Sequence, residues 1–404
     1  MPRRPLTPED VALFRWAGDP QLSPDASTVA WIQTWLDLER DEPVSAVFIA
    51  PADGSGEPRR FTSGPHDLSA RWSPDGDYLA YLSAPDGPPA LKLAPLAGGE
   101  PITVETSGPV KGFEWSPKGD RLVVVVNVPD QSDGGHSPTA SHAPRVVKGL
   151  FNRLDGTGWL EGRDHLFLYD VAGNTISRLT SGDFDHASPA WSPDGSIIAF
   201  VSDRSRDRDD KAFMGDIWTV EVDGRRRAPR RVATDLAYPQ ALTYSPDGTR
   251  LAFAGLLGRK ERAARDSRLL VVDLASDRVP EIVAPALDRP TAYTPFGRAA
   301  YEWLAPDELV FTVADGGRIA IRRARLGEHS TRAVLDDDRQ VHALSVALAP
   351  AGRSGHQRVA FSSAWVDSPG EIYVFELGRR ASEPLRVSRA SEPLNAVVRL
   401  RPAE

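Results

Sequence analysis

Cysteine is missing from this sequence altogether. Disulfides and thiolate metal sites are thereby excluded, and a reducing, cytoplasmic setting is the expectation. Lysine is scarce: six of the 48 basic residues, the rest being arginine. With abundant Ala, Pro and Gly, that bias resembles the composition of a GC-rich bacterium. Long apolar runs are also lacking. Residues 122–126 make a representative run, far below the ~20 residues of a membrane-spanning helix, so no membrane partner is expected. The opening, Met1-Pro2-Arg3-Arg4-Pro5, offers no apolar core for a signal peptide. Excess positive charge is absent: the net charge is −8 and the pI about 5.6, which argues against nucleic acid as a partner.

Hydrolytic motifs are absent too. No Gly-x-Ser-x-Gly exists; Gly54-Ser55-Gly56 and Arg353-Ser354-Gly355 both miss it. The eight histidines form neither His-x-Glu nor His-Glu-x-x-His, so zinc hydrolysis lacks a ligand set. Gly156-Thr157-Gly158 lacks the third glycine and following helix of a nucleotide fingerprint. No catalytic residue, metal or cofactor is therefore expected in this chain.

What is present is a phrase. Ser-Pro-Asp-Gly or a near copy recurs at Ser23, Ser73, Ser116, Ser192 and Ser245, then in degraded form at Ala305 and Ala349. The seven copies are spaced by 50, 43, 76, 53, 60 and 44 residues, the range of a repeated supersecondary unit. Proline presets the first corner of a turn, and Gly takes the left-handed position that closes it. Upstream runs end in an aromatic residue (Trp72, Trp115, Trp191, Tyr244), and downstream runs such as residues 78–82 and 197–201 are β-formers. A third apolar run and a fourth, more polar one complete each unit. Four antiparallel strands repeated seven times predict an all-β, seven-bladed β-propeller occupying residues 18–394. The expected blades are about 18–64, 65–108, 109–182, 183–235, 236–288, 289–340 and 341–394. Residues 395–404 form a tail or linker.

Before the first blade, residues 1–17 form a helical segment. Thr7, Pro8, Glu9 and Asp10 are helix-start residues, and Val11, Leu13, Phe14 and Trp16 supply more apolar surface than solvent requires. Val11, Phe14 and Trp16 are candidates for docking another domain, with packing against blade one as the alternative. The widest interval holds an insertion. Residues 128–144, with His136 and His142, read as a mobile loop. After it come Phe151, Arg153 and Trp159 around a glycine turn, candidates for facing a peptide or a second domain. The alternating charges from Asp203 to Lys211, the Arg225-Arg226-Arg227 run and Asp336-Asp337-Asp338 read as solvated surface.

Leu6-Thr7-Pro8-Glu9-Asp10, followed by residues 18–25, resembles the opening of prolyl oligopeptidase-family serine peptidases. Asp155-Gly156-Thr157-Gly158-Trp159 with His165, and residues 183–195, resemble the acylaminoacyl-peptidase branch. The resemblance implies an N-terminal propeller capping an α/β-hydrolase domain that limits entry to small peptides. In that family the Ser, Asp and His of the triad lie in the hydrolase domain, so none carries over to this sequence. The gating surface does: Phe151, Arg153 and Trp159, with Arg153 placed to pair with a peptide carboxylate. The partners so implied are peptide substrates and the missing hydrolase domain, with self-association through the uncovered helix. The rival reading is a free-standing TolB-like propeller acting as a protein-interaction scaffold. A lyase or glycosidase propeller would need carboxylates or a metal at a channel mouth, which the sequence does not place.

Overall fold

The computed structural model describes residues 4–129, 149–154, 158–210, 213–224, 228–258, 266–276, 279–292, 300–348, 357–365, 368–378 and 383–397. His136, His142, the Gly156-Thr157 turn, the 225–227 arginines and the turn copy at Ala349 lie outside them. The chain forms two compact units, one of residues 1–103 and 282–404, the other of residues 104–281.

Both units are built from antiparallel sheets whose strands follow chain order. In the first unit, Arg15–Leu22, Thr28–Asp37, Glu42–Pro51 and Arg59–Arg60 form one four-stranded sheet, and the strands from Asp67–Trp72 to Ile102–Thr103 form another. The strands from Tyr301–Ala305 to Leu385–Arg386 form a third, held together midway by one parallel bridge, Ile319 to Gln340. In the second unit, Val110–Trp115, Arg121–Val128, Arg163–Asp170 and Thr175–Arg178 make a four-stranded sheet. A seven-stranded sheet follows it in sequence. Its long strand Arg230–Tyr244 pairs Met214–Glu221 with its first half and Arg250–Leu257 with its second, bending at Asp235, Tyr238 and Ala241, all at positive φ.

The recurring phrase is a turn with a fixed hydrogen-bond circuit. Ser73 Oγ donates to Asp75 at 2.5 Å and accepts the Tyr78 N–H at 2.9 Å, while Asp75 accepts the Asp77 N–H at 3.0 Å. The copies at Ser23, Ser192 and Ser245 repeat it. Gly76, Gly119, Gly195 and Gly248 take φ between 73° and 79°, the left-handed region read from sequence. Ala26 holds the same place at φ 54°. The Ser116 copy has Lys118 where the others have Asp, and Asp120 takes over, accepting the Ser116 hydroxyl at 2.7 Å.

A second repeat is hidden in the strand before four of the turns. Asp19, Ser69, Ser188 and Ala241 stand four residues before the turn serine, all at φ near 50°, each where the pairing register slips. These are β-bulges, which kink and twist the strand. Two of the aromatics that end these strands make matching bonds. Trp72 Nε1 donates to the Gln21 carbonyl at 3.0 Å, and Trp191 Nε1 to the equivalent Glu114 carbonyl at 3.2 Å. Each indole therefore stitches its sheet to the preceding one.

Cores fill the spaces between successive sheets. Val123, Leu166, Ile198, Phe200 and Val220 do so in the second unit, and Ala30, Val47, Leu79 and Tyr81 in the first. The first and last sheets of the first unit also pack together, through Val29, Trp31, Ala360, Ile372 and Val374. Arg358 donates to the Ala26 carbonyl at 2.9 Å across that seam, and Arg4 bridges Val397 as a parallel pair. Among the described residues no strand from one end of the chain is inserted into the sheet of the other.

The N-terminal helix differs from expectation. It is a 3₁₀ helix, Pro8–Leu13, that stops at Phe14, and Trp16 already belongs to the strand Arg15–Leu22, opposite Thr34. So short a helix gains little from another turn. The Arg15–Leu22 ladder instead satisfies the backbone over eight residues.

Candidate functional site

In each sheet the Ser-Pro-Asp-Gly turns lie at one edge, and the connections at the other edge vary in length. In the second unit this variable edge carries the described residues 149–154 and 158–162, the 179–186 link and the 203–210 loop. The sequence-read residues lie here. Arg153–Leu154 and Gly158–Trp159 pair as a two-stranded hairpin. Pairing puts Arg153 opposite Trp159, its guanidinium 5.9 Å from the ring centroid. Both side chains are exposed. Phe151, also exposed, precedes the hairpin and is tied elsewhere: its N–H donates to the Asp209 carbonyl at 3.1 Å. The Leu150 N–H reaches Asp210 at 3.0 Å, and a side chain at Gly149 would meet the Asp209 carbonyl oxygen at 2.7 Å. The hairpin thus rests on the 203–210 loop. Arg153 and Trp159 come together, and Phe151 is fixed beside them by the loop.

Beneath lies a charge network. Arg163 bonds Asp183 at 2.8 Å, Asp185 at 3.3 Å and Asp209 at 2.9 Å, and Arg208 also pairs with Asp183. Burial alone would lower the Arg163 guanidinium, but the Asp183, Asp185 and Asp209 carboxylates outweigh it and hold it raised. The charges from Asp203 to Asp210, read as self-paired surface, instead bind neighbouring segments. Arg204 illustrates the point. Its guanidinium lies 4.2 Å from the Trp218 ring centroid and 5.2 Å from that of Phe184, within 3.4 Å of His186 Nε2. Burial lowers its pKa.

The His186 and His165 rings lie 5.1 Å apart, tilted by 36°, both essentially unexposed. His186 Nδ1 lies 3.0 Å from the Asp164 carbonyl oxygen. Desolvation pushes both imidazoles down to about 4, so they are neutral near pH 7. A neutral pair of this kind anchors the link.

The sequence did not reveal one aromatic pair on this edge. Phe213 and Tyr238 are exposed and stacked, with centroids 5.2 Å apart, and both stand at positive φ, 63° and 54°. Bulky side chains in the left-handed region store strain. Only the backbone reveals it.

In the first unit, Val11 and Trp16 are exposed, and Phe14 is half-buried with its ring 6.3 Å from that of Trp16. Below them Asp10 accepts the Thr7 N–H at 2.7 Å and pairs with both guanidinium nitrogens of Arg4, whose hydrogen bonds hold its carboxyl well below the usual range. Among the described residues no group of three or more His, Asp or Glu is placed to hold a metal ion, and no helix is long and apolar enough to cross a membrane.

A scan against protein-family models finds no match. Among curated proteins, the chain is 29% identical over 222 residues to the uncharacterized peptidase YuxL of Bacillus subtilis, covering 53% of this chain and 34% of that one. It is 31% identical over 137 residues to a TolB homologue of Chlorobium chlorochromatii, covering 34% and 24%. The chain spans about a third or less of these relatives' lengths. Among solved structures, the Pyrococcus horikoshii acylaminoacyl peptidase superposes with a TM-score of 0.70 at 14% identity, over 95% of this chain and 54% of that one. The β-propeller domain of the Trilobed protease from Pyrococcus furiosus, described as having an open velcro topology, gives 0.64 at 13% identity over 96% and 99%. The fold is therefore that of a β-propeller, similar over nearly its whole length to part of the acylaminoacyl peptidase and to the Trilobed protease propeller domain.

Proposed function

We propose that this chain is the propeller portion of an acylaminoacyl-peptidase-type oligopeptidase, which limits substrate size and orients peptides for a hydrolase domain. The supporting observation is one of extent. Nearly the entire chain matches about half of an acylaminoacyl peptidase and nearly all of a solved propeller domain. The proposal includes seven blades of four strands. The strand pairings support that count, since the seven-stranded sheet divides at the bend in Arg230–Tyr244 and the last sheet at the Ile319–Gln340 bridge. Phe151, Arg153 and Trp159 are proposed to face the peptide or the hydrolase domain. Val11, Phe14 and Trp16 are proposed as the docking surface of that domain, in a cytoplasmic protein.

Peptide-bond cleavage needs a positioned nucleophile, a base and oxyanion donors. None of their motifs is present, so the chain alone is expected to be inactive. The test is hydrolysis of acyl-amino-acid and short-peptide chromogenic substrates by the purified chain. Turnover abolished by a serine-directed inhibitor would overturn the proposal. The TolB-type likeness supports a second reading, an interaction scaffold. Self-association that disappears on deleting residues 1–17 favours the first reading, and a monodisperse monomer the second.

A further inference from the structure

The first unit holds a cavity of about 300 Å³ lined by Arg339, Ser363, Trp365, Ser368, Tyr373, Arg386 and Ser391. That volume is at the lower end of small-molecule sites. Two of its lining groups carry buried polar atoms without a hydrogen-bond partner among the described residues: Arg339 Nη1 and Ser368 Oγ. Buried donors are normally satisfied. Both residues line the cavity together with a second arginine, Arg386, so its wall is rich in hydrogen-bonding groups.

The arginines are held ready rather than consumed. The Arg339 guanidinium lies over the Tyr373 ring, 4.8 Å from its centroid, and Tyr373 stacks on Phe361 at 5.4 Å. Its Nε meets Asp337 at 3.4 Å, which leaves the other face of the fork available. Arg386 approaches Glu371 only to 3.8 Å. Glu371 is completely buried and already accepts hydrogen bonds from the Ser388 and Ser391 hydroxyls, the Ala390 N–H at 3.0 Å and the Ser391 N–H at 2.8 Å. With those four donors in place it does not take up those of Arg386.

The charge count selects the ligand. Asp337 and Glu371 offset much of the two guanidinium charges, so the cavity suits a monoanion better than a dianion such as phosphate. Trp365, exposed, and Tyr373 supply a flat apolar wall. We propose that this cavity binds a carboxylate adjoining an apolar or aromatic group, either a free small acid or the carboxyl end of a peptide. The proposal is independent of the proposed function, because an interaction scaffold would bind the same group.

Calorimetric titration of the full chain with 3-phenylpropionate and its amide, and with Ala-Ala-Phe as free acid and as amide, tests it. An acid that binds about tenfold or more tightly than its amide, with Arg386→Gln and Arg339→Gln each removing that preference, is the expected result. Binding of phenylpropionate alone identifies a free acid as ligand, and binding of the peptide acid identifies a chain end. Should an arginine variant lose its melting transition, Ser368→Ala, which keeps both charges, is expected to weaken the acid alone. Equal binding of acid and amide, no binding by any probe, or tighter binding of inorganic phosphate overturns the proposal.

Discussion

The two edges of the second unit solve opposite problems. At the turn edge one circuit is copied: serine hydroxyl to carboxylate, carboxylate to backbone N–H, left-handed residue to close. At the loop edge little is copied: Thr180 Oγ1 accepts the Leu166 N–H as Thr62 Oγ1 accepts the Val47 N–H in the first unit. Arginines, aspartates and histidines from different segments meet there, and strained aromatics face solvent. The turn edge depends on local hydrogen bonds within five residues. The loop edge depends on contacts between segments 20 to 60 residues apart, such as Arg163 with Asp183 and Leu150 with Asp210.

Acid separates the two edges most sharply. The His165 and His186 imidazoles have folded pKa values of about 4, below the unfolded value of about 6.5. The unfolded chain binds more protons in between, so the stability they contribute is complete above pH 6.5 and is lost as pH falls toward 4. Each tenfold difference in proton affinity between the folded and unfolded chain is worth ~1.4 kcal/mol, so the two imidazoles together account for several kcal/mol of acid sensitivity. Urea midpoints between pH 7 and 4 measure it, and an H165Q/H186Q variant is expected to flatten the slope. The turn edge yields later. The Ser192 hydroxyl and the Ser196 N–H hold Asp194 down to about 2, so its contribution is present above pH 4 and lost only on approaching 2. A single acid transition centred below pH 4, with no change between 6.5 and 4, would contradict this order.

A smaller effect tests whether the turn circuit is truly one device. Asp120→Ala and Asp75→Ala are each expected to cost about 1 kcal/mol, because each removes the acceptor of a turn serine. Lys118→Ala should stay within about 0.5 kcal/mol, as surface changes usually do. Urea midpoints of the three variants decide it. The smallest effect lies on the hairpin. Arg153→Ala removes one exposed cation–π contact and should change stability by less than about 1 kcal/mol. If Arg153 faces a peptide, the same variant weakens peptide binding while the thermal midpoint stays put.

The fold was largely legible because its signals are local. A proline, an Asp and a glycine fix a turn wherever they stand, and strand runs on either side follow. Even the aromatics before four of the turns were visible, though not the indole bonds of Trp72 and Trp191 to the neighbouring sheet. The positive-φ bulge was not, because Asp19, Ser69, Ser188 and Ala241 share no side-chain chemistry. The site was less legible. Arg153 and Trp159 are neighbours in sequence and could be paired by eye. Arg204 among Phe184, Phe200 and Trp218, or Arg339 on Tyr373, unite residues whose sequence spacing carries no signal. Trp16 was misplaced for a related reason: its apolar neighbours suit a helix, and only the partner strand Thr28–Asp37 shows otherwise.

One consequence follows from the Arg4–Val397 bridge. Residues that open and close the described chain lie within a strand spacing, about 5 Å, of each other. A few linking residues could therefore join them, and the backbone could be reopened at a tight reversal such as Leu96-Ala97-Gly98, where Gly98 N–H bonds the Pro95 carbonyl. A circular permutant made this way should keep the native sheets, moving its new ends far from the old seam.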